Sequence, residues 1–198
     1  MTETGIDIGP AARRMAVLVD GAGDAALDSS TPCERFALRD LLAHVIELSV
    51  GFQYAARKEL GDSTERAPSE HGPGPLPEDW RAQLARGLEA VTAAWRSPAA
   101  WQGDTQAGGV SLTGAVAGRV LLNELVVHGW DVARATGQEP GFDEESLRTV
   151  HTFLADAVRG NGGEGLFGPV VQVPEDAPLL DRVVALTGRD PAWRPTGT

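Results

Sequence analysis

An all-α fold, built around a bundle of four long helices, is what this sequence predicts. Three observations carry the expectation. Apolar residues recur at helical spacing over four segments, 10–22, 37–60, 78–96 and 113–136. The connections between these segments are short, irregular or rich in Pro, Gly and Ser. The 198 residues are 42% hydrophobic and 23% charged, an ordinary composition for a folded chain with enough length to bury one core.

Each element has a local reason. The first helix, "PAARRMAVLVDGA", opens on Pro10, where a missing N–H costs nothing, and stops at Gly. The second, "ALRDLLAHVIELSVGFQYAARKEL", is amphipathic and ends before Gly61. Residues 61–77, "GDSTERAPSEHGPGPLP", read as a polar loop. The third helix follows Pro77 with Glu78 and Asp79 in its first turn, where the helix dipole favours negative charge, and runs to about Arg96. Residues 98–112 are irregular with a short extended piece, and the fourth helix covers 113–136 before Gly137. A further helix spans 143–159, "FGPVVQV" at 167–173 reads as a short strand, and a last helical turn covers 178–187. No internal repeat is visible. The expected organisation is one domain, 1–198, whose C-terminal extension is a short tail from 165 to 198.

Charge and cysteine usage exclude several functions. A net charge of −11 leaves no basic face for nucleic acid or anionic membrane. Cys33 is the only cysteine, so neither a disulfide framework nor a Cys-based zinc finger can form. The start, "MTETGIDIGP", has no basic and apolar signal pattern, and no apolar run reaches about 18 residues. A cytoplasmic protein, monomer or homodimer, is expected. Among 17 basic residues only Lys58 is a lysine, a bias associated with GC-rich bacterial genomes.

The fourth helix holds the oddity. With Glu124 set at zero on a helical wheel, His128 falls near about 40° and Asp131 near about −20°, so the three share one stripe. Val120, Val127, Leu121 and Val132 flank it, and Arg119, Asn123 and Arg134 form a polar edge elsewhere. A carboxylate placed among apolar neighbours needs a strong partner. The second helix supplies a candidate in His44, set among Leu41, Leu48 and Ala55, with Asp40 one turn earlier as a possible hydrogen-bond partner for its other ring nitrogen. His44, Glu124 and His128 together are a three-ligand N/O set of the kind that holds a catalytic divalent ion and leaves a position open. From the residues alone a second reading stands beside it: a surface Glu–His pair and an unrelated core histidine.

Other residues are weighed the same way. Glu47, three positions after His44, is the reserve ligand. Asp131 is the candidate for a catalytic or ligand-orienting role, with helix capping or arginine pairing as the alternative. Cys33 lies before a helix N-terminus that would lower its pKa, against a role as a small packed side chain. His151, with Leu147 and Leu154 on its face, reads as core edge, and His71 as a solvated loop residue. Trp80, Trp95, Trp101 and Trp130 read as core or pocket wall.

"STPCERFALRDLLAHVIEL", then "NELVVHGWDVARATG", then "FGPVVQVPEDAPLLDRVVALTGRDPAW" resemble the actinobacterial metal-binding proteins related to the N-terminal domain of mycothiol-dependent maleylpyruvate isomerase, within the wider DinB-like group of four-helix bundles. The specific points are the Thr-Pro-Cys opening, the Glu-x3-His-Gly-Trp-Asp block and the Gly-Arg-Asp-Pro ending. The resemblance implies a DinB-like bundle and a metal held by His44, Glu124 and His128, while Cys33 matches a family cysteine that is not a ligand. It implies a divalent ion, zinc first among zinc, nickel, iron and manganese, and mycothiol or a similar low-molecular-weight thiol as cosubstrate. The expected function is then thiol S-transfer to an electrophile or thiol-dependent isomerisation, with Arg119 or Arg134 capturing an anionic electrophile. The alternative is a non-catalytic metal-containing protein that binds or senses a small ligand. The isomerase itself carries a further C-terminal domain that contributes to its active site, and this sequence accommodates only the bundle and a tail. That departure favours transfer or another reaction over maleylpyruvate isomerisation.

Overall fold

The computed structural model describes residues 5–65, 72–160 and 168–195. Seven α-helices and one β-hairpin are found among them. Helix α1 (Gly9–Asp20) has Pro10 in its first turn and buries Ala11, Met15, Leu18 and Val19 along one face. Helix α2 (Leu38–Arg57) begins where the Ala37 N–H donates to Asp40 Oδ2 at 3.1 Å, and it ends at Lys58, whose φ of 60° breaks the repeat. A four-residue helix, α3 (Asp62–Glu65), occupies the start of the expected loop; His71 lies outside the described residues. Helix α4 (Trp80–Trp95) follows.

The extended piece expected within 98–112 is a hairpin. Strand β1 (Asp104–Ala107) pairs antiparallel with β2 (Val110–Thr113), in the register Asp104 to Thr113 and Ala107 to Val110. Gly108 and Gly109 sit between the strands with φ of 59° and 78°, the left-handed pair that a two-residue hairpin turn demands. Helix α5 (Gly114–Thr136) starts directly from β2, where Thr113 Oγ1 accepts the Val116 N–H, and stops at Gly137 with φ of 68°. Helices α6 (Glu144–Arg159) and α7 (Leu179–Leu186) complete the order.

Helix α2 packs against α4 and α5, and α1 packs against the same two, so α1, α4, α2 and α5 close into a four-helix ring. The predicted bundle is what forms. Helix α6 lies on α5 outside the ring, and α7 lies on α6. Two expectations need correction. Residues 168–173 of "FGPVVQV" form no strand, because no strand among the described residues offers them a ladder; a Val171 N–H bond to the Ala185 carbonyl holds the segment to α7, and Phe167 lies outside the described residues. The polar edge assigned to α5 does not face solvent throughout: Asn123 is 2% exposed, because α5 is covered by the ring on one side and α6 on another.

The hairpin end of the bundle is closed by a pair of indoles. Trp95 and Trp101 meet edge to face with centroids 5.0 Å apart, and their Nε1 groups donate to the carbonyls of Phe52 and Trp95. Gly118 of α5 lies directly beneath: a Cβ there would come within 2.3 Å of the Trp101 ring and 2.8 Å of the Trp95 ring. Gly118→Ala is therefore expected to destabilise the fold by about 1–3 kcal/mol through overpacking, despite a helix-propensity gain of about 1 kcal/mol. Denaturant titration checks this, and an unchanged or raised midpoint would mean that the indoles move aside freely.

Candidate metal centre

The second turn of α2 and the middle of α5 bring three donors together. His44 Nε2 lies 3.6 Å from Glu124 Oε2, and His128 Nε2 lies 3.0 Å from the same oxygen. One donor atom from each of the three residues lies within 4.8 Å of the others. At metal–ligand bonds of about 2 Å, a single ion can touch all three. The helix explains half of this: positions four apart stack on one face, so Glu124 and His128 present their side chains side by side. Ring packing explains much of the rest, since His44 meets His128 edge to face at 5.0 Å and is itself flanked by Phe36 at 5.5 Å.

The centre opens toward solvent on the side of His44 and Glu124, whose side chains are 16% and 23% exposed, while His128 is half as exposed as Glu124 or less. Asp131 lies behind His128 and is fully buried. Its Oδ2 is 3.0 Å from His128 Nδ1. A carboxylate only accepts, so Nδ1 carries the proton and Nε2 is the nitrogen turned to Glu124 and His44.

Electrostatics follow from this stacking of charges. Burial opposes ionisation of Glu124, yet His128 and His44 hold its carboxyl well below the usual range. Burial likewise opposes the charge on His128, but Glu124 and Asp131 on its two sides push the imidazole up to about 9. Asp131 also stays ionised against its burial, held low first by Arg189 and then by His128. The set is a chain of alternating charge, Glu124, His128, Asp131 and Arg189, set against a mainly apolar core.

The remaining candidates fall into place around it. Asp40 does not serve His44; its carboxylate is spent on the Ala37 N–H at the start of α2. Glu47 stays out of the cluster because it is exposed and accepts the Gly74 N–H at 3.0 Å. Cys33 is half-buried, and its thiol is pushed up by burial and by Asp131, which fits the packed side chain and not the alternative of a thiol lowered by a helix N-terminus. His151 is half-buried beside Arg182, at the α6–α7 junction and not in the cluster. Trp80, Trp95, Trp101 and Trp130 are all core. Arg134 lies over the Trp130 ring and donates to the Pro191 carbonyl at 3.2 Å, so it is engaged in holding the tail. Sequence reasoning gave Arg189 no role. The signal was the Gly-Arg-Asp-Pro ending, which marks a position without saying what it touches.

A sequence profile for the mycothiol maleylpyruvate isomerase N-terminal domain matches residues 8–133, a span that contains His44, Glu124, His128 and Asp131. The chain belongs to that family. Two uncharacterised proteins, from two strains of Mycobacterium tuberculosis, are each 26% identical over 176 residues, covering 82% of this chain and 85% of their own length. A crystal structure of a mutant of mycothiol-dependent maleylpyruvate isomerase aligns with a TM-score of 0.55 at 17% identity, over 73% of this chain and 65% of that one. This chain therefore spans about two thirds of the length of that isomerase, and the likeness is one of fold. Arg189 and all of α6 and α7 lie beyond the matched family domain. No described helix is long and apolar enough to cross a membrane.

Proposed function

We propose that this family domain holds a divalent ion through His44, Glu124 and His128 and uses it with a low-molecular-weight thiol, mycothiol or a close analogue, for S-transfer to an electrophile or for isomerisation. The observation that carries the reading is the convergence of two imidazoles and one carboxylate within 4.8 Å against a mainly apolar core. The donor set fits such an ion: its single carboxylate offsets part of the charge, and one imidazole already has its second nitrogen fixed by Asp131. When bound, a divalent ion supplies a Lewis-acidic centre that stabilises a thiolate near neutral pH or polarises a carbonyl. The chain contributes the rest. Phe36 covers one side of His44 and limits water there, which strengthens electrostatic interactions on that side. Asp131 acts through His128 and not on substrate, because it is fully buried and both its oxygens are engaged by Arg189 and His128.

The test is spectroscopic. Protein loaded with cobalt(II) and titrated with mycothiol is expected to develop an intense sulfur-to-cobalt charge-transfer band in the near ultraviolet. The Glu124→Ala/His128→Ala variant should show none. Cobalt binding without a band at saturating thiol would favour a non-catalytic protein that uses the ion to bind another small ligand. Conjugate formation from thiol and a model electrophile, above the uncatalysed rate, separates transfer from simple binding.

A further inference from the structure

We infer that Arg189, delivered by the α6–α7 arm from outside the matched family domain, is the positioning residue that fixes the orientation of His128 by locking Asp131. The inference rests on the reading of His44, Glu124 and His128 as a metal centre. Its geometry is explicit. Arg189 grips Asp131 with two parallel bonds, Nε to Oδ1 and Nη2 to Oδ2, both 2.8 Å. Such a fork fixes the plane of the carboxylate as well as its position. Oδ2 is the same oxygen that faces His128 Nδ1 at 3.0 Å, so the arginine, the carboxylate and the imidazole form one relay. Asp131 has no exposed surface, and without the arginine its charge would be buried with His128 as its one remaining partner among these contacts.

The turn after α7 presents this guanidinium. Helix α7 ends at Thr187, whose Oγ1 donates to the Val184 carbonyl at 2.7 Å and accepts from Arg189 Nη1 at 3.1 Å. Gly188 then turns the chain at φ of 83°, and a Cβ there would meet the backbone of Gly168 at 2.8 Å. The Arg189 N–H closes the turn on the Val184 carbonyl. A second tie, Arg134 to the Pro191 carbonyl, holds the following residues to α5 independently of Asp131. Arg189 uses all three of its nitrogens, and its side chain is only 13% exposed. It is therefore committed to Asp131 and does not serve as a substrate anchor.

The decisive experiment is a double-mutant cycle read by zinc affinity, through competition with a chelator, and by the NMR signal of the His128 Nδ1 proton. Arg189→Gln is expected to weaken zinc binding about ten- to a hundredfold, the usual effect of losing support behind a ligating histidine. In the metal-free protein the low-field, slowly exchanging Nδ1 proton should shift upfield and exchange faster. In an Asp131→Asn background the same change should cost little more, since Arg189 acts only through that carboxylate. Arg189→Lys, which keeps the charge but loses the fork, should fall between, and it decides the matter if the glutamine variant does not fold. Wild-type affinity and an unmoved proton signal in Arg189→Lys or Arg189→Gln would overturn the inference, as would an equal loss in both backgrounds. Failure of the wild-type protein to bind zinc would instead defeat the metal-centre reading, while the proton signal would still report on the relay.

Discussion

His128→Ala is expected to lower zinc affinity by about a hundred- to a thousandfold while leaving the helices in place. The magnitude follows from sharing: zinc bound by small peptides gains roughly 10–16 kcal/mol across four ligands, so one ligand accounts for about 2.5–4 kcal/mol, and about 1.4 kcal/mol is a factor of ten. The fold should survive because the ring of α1, α4, α2 and α5 is held by leucines, alanines and tryptophans that the substitution does not touch. Glu124 keeps His44 as a neighbour at 3.6 Å, and Asp131 keeps Arg189. Elemental analysis and circular dichroism of the purified variant check the two halves of this expectation. A full equivalent of zinc retained at wild-type affinity would remove His128 from the ligand set.

The second large effect is a dependence of zinc affinity on pH. In the metal-free protein the His128 imidazole is held charged up to about pH 9 by Glu124 and Asp131, and a ligating nitrogen must give up its proton. Zinc should therefore displace about one proton from His128 at pH 7, and affinity should climb by about tenfold per pH unit until it levels near pH 9. Glu124, held ionised well below this range, adds nothing to the slope. Stability of the metal-free protein should move the other way. A histidine raised from 6.5 to about 9 on folding contributes in full below pH 6.5, and its contribution is lost as pH rises through about 9. The depressed carboxylates Glu124 and Asp131 contribute above their ordinary values of 4.5 and 3.8, and that contribution is lost as pH falls below them. Metal-free melting temperatures should accordingly decline from pH 6.5 toward pH 9 while zinc affinity rises. Zinc affinity flat across that interval, with no proton release at pH 7, would mean that His128 does not carry the proton the zinc must displace.

The bundle was legible in the residues because helical periodicity, caps and breakers act over a few positions. Pro10 in the first turn of α1, the stop at Gly137 and the apolar faces of α2 and α5 needed no long-range information. The Glu124–His128 pair was equally local, a consequence of 3.6 residues per turn. That His44 joins the pair was suggested by its apolar setting and by resemblance, but only the packing of α2 on α5 brings the nitrogen to 3.6 Å from Glu124. Local reasoning failed where a side chain had a choice of partners. Asp40 looked free to support His44 and instead caps its own helix; Glu47 looked near enough to ligate and instead holds Gly74. The sequence likewise left open whether Asp131 was base, cap or ion-pair partner. Its environment is assembled from α5 and from a turn 58 residues further along the chain. No spacing rule links two such positions, because the partner of a buried charge is chosen by tertiary desolvation: whichever opposite charge the fold carries into the same dry space holds it there. The sequence alone thus determined the helices and one face of a candidate site, and the tertiary structure decided which groups meet across that face and which arginine stands behind it.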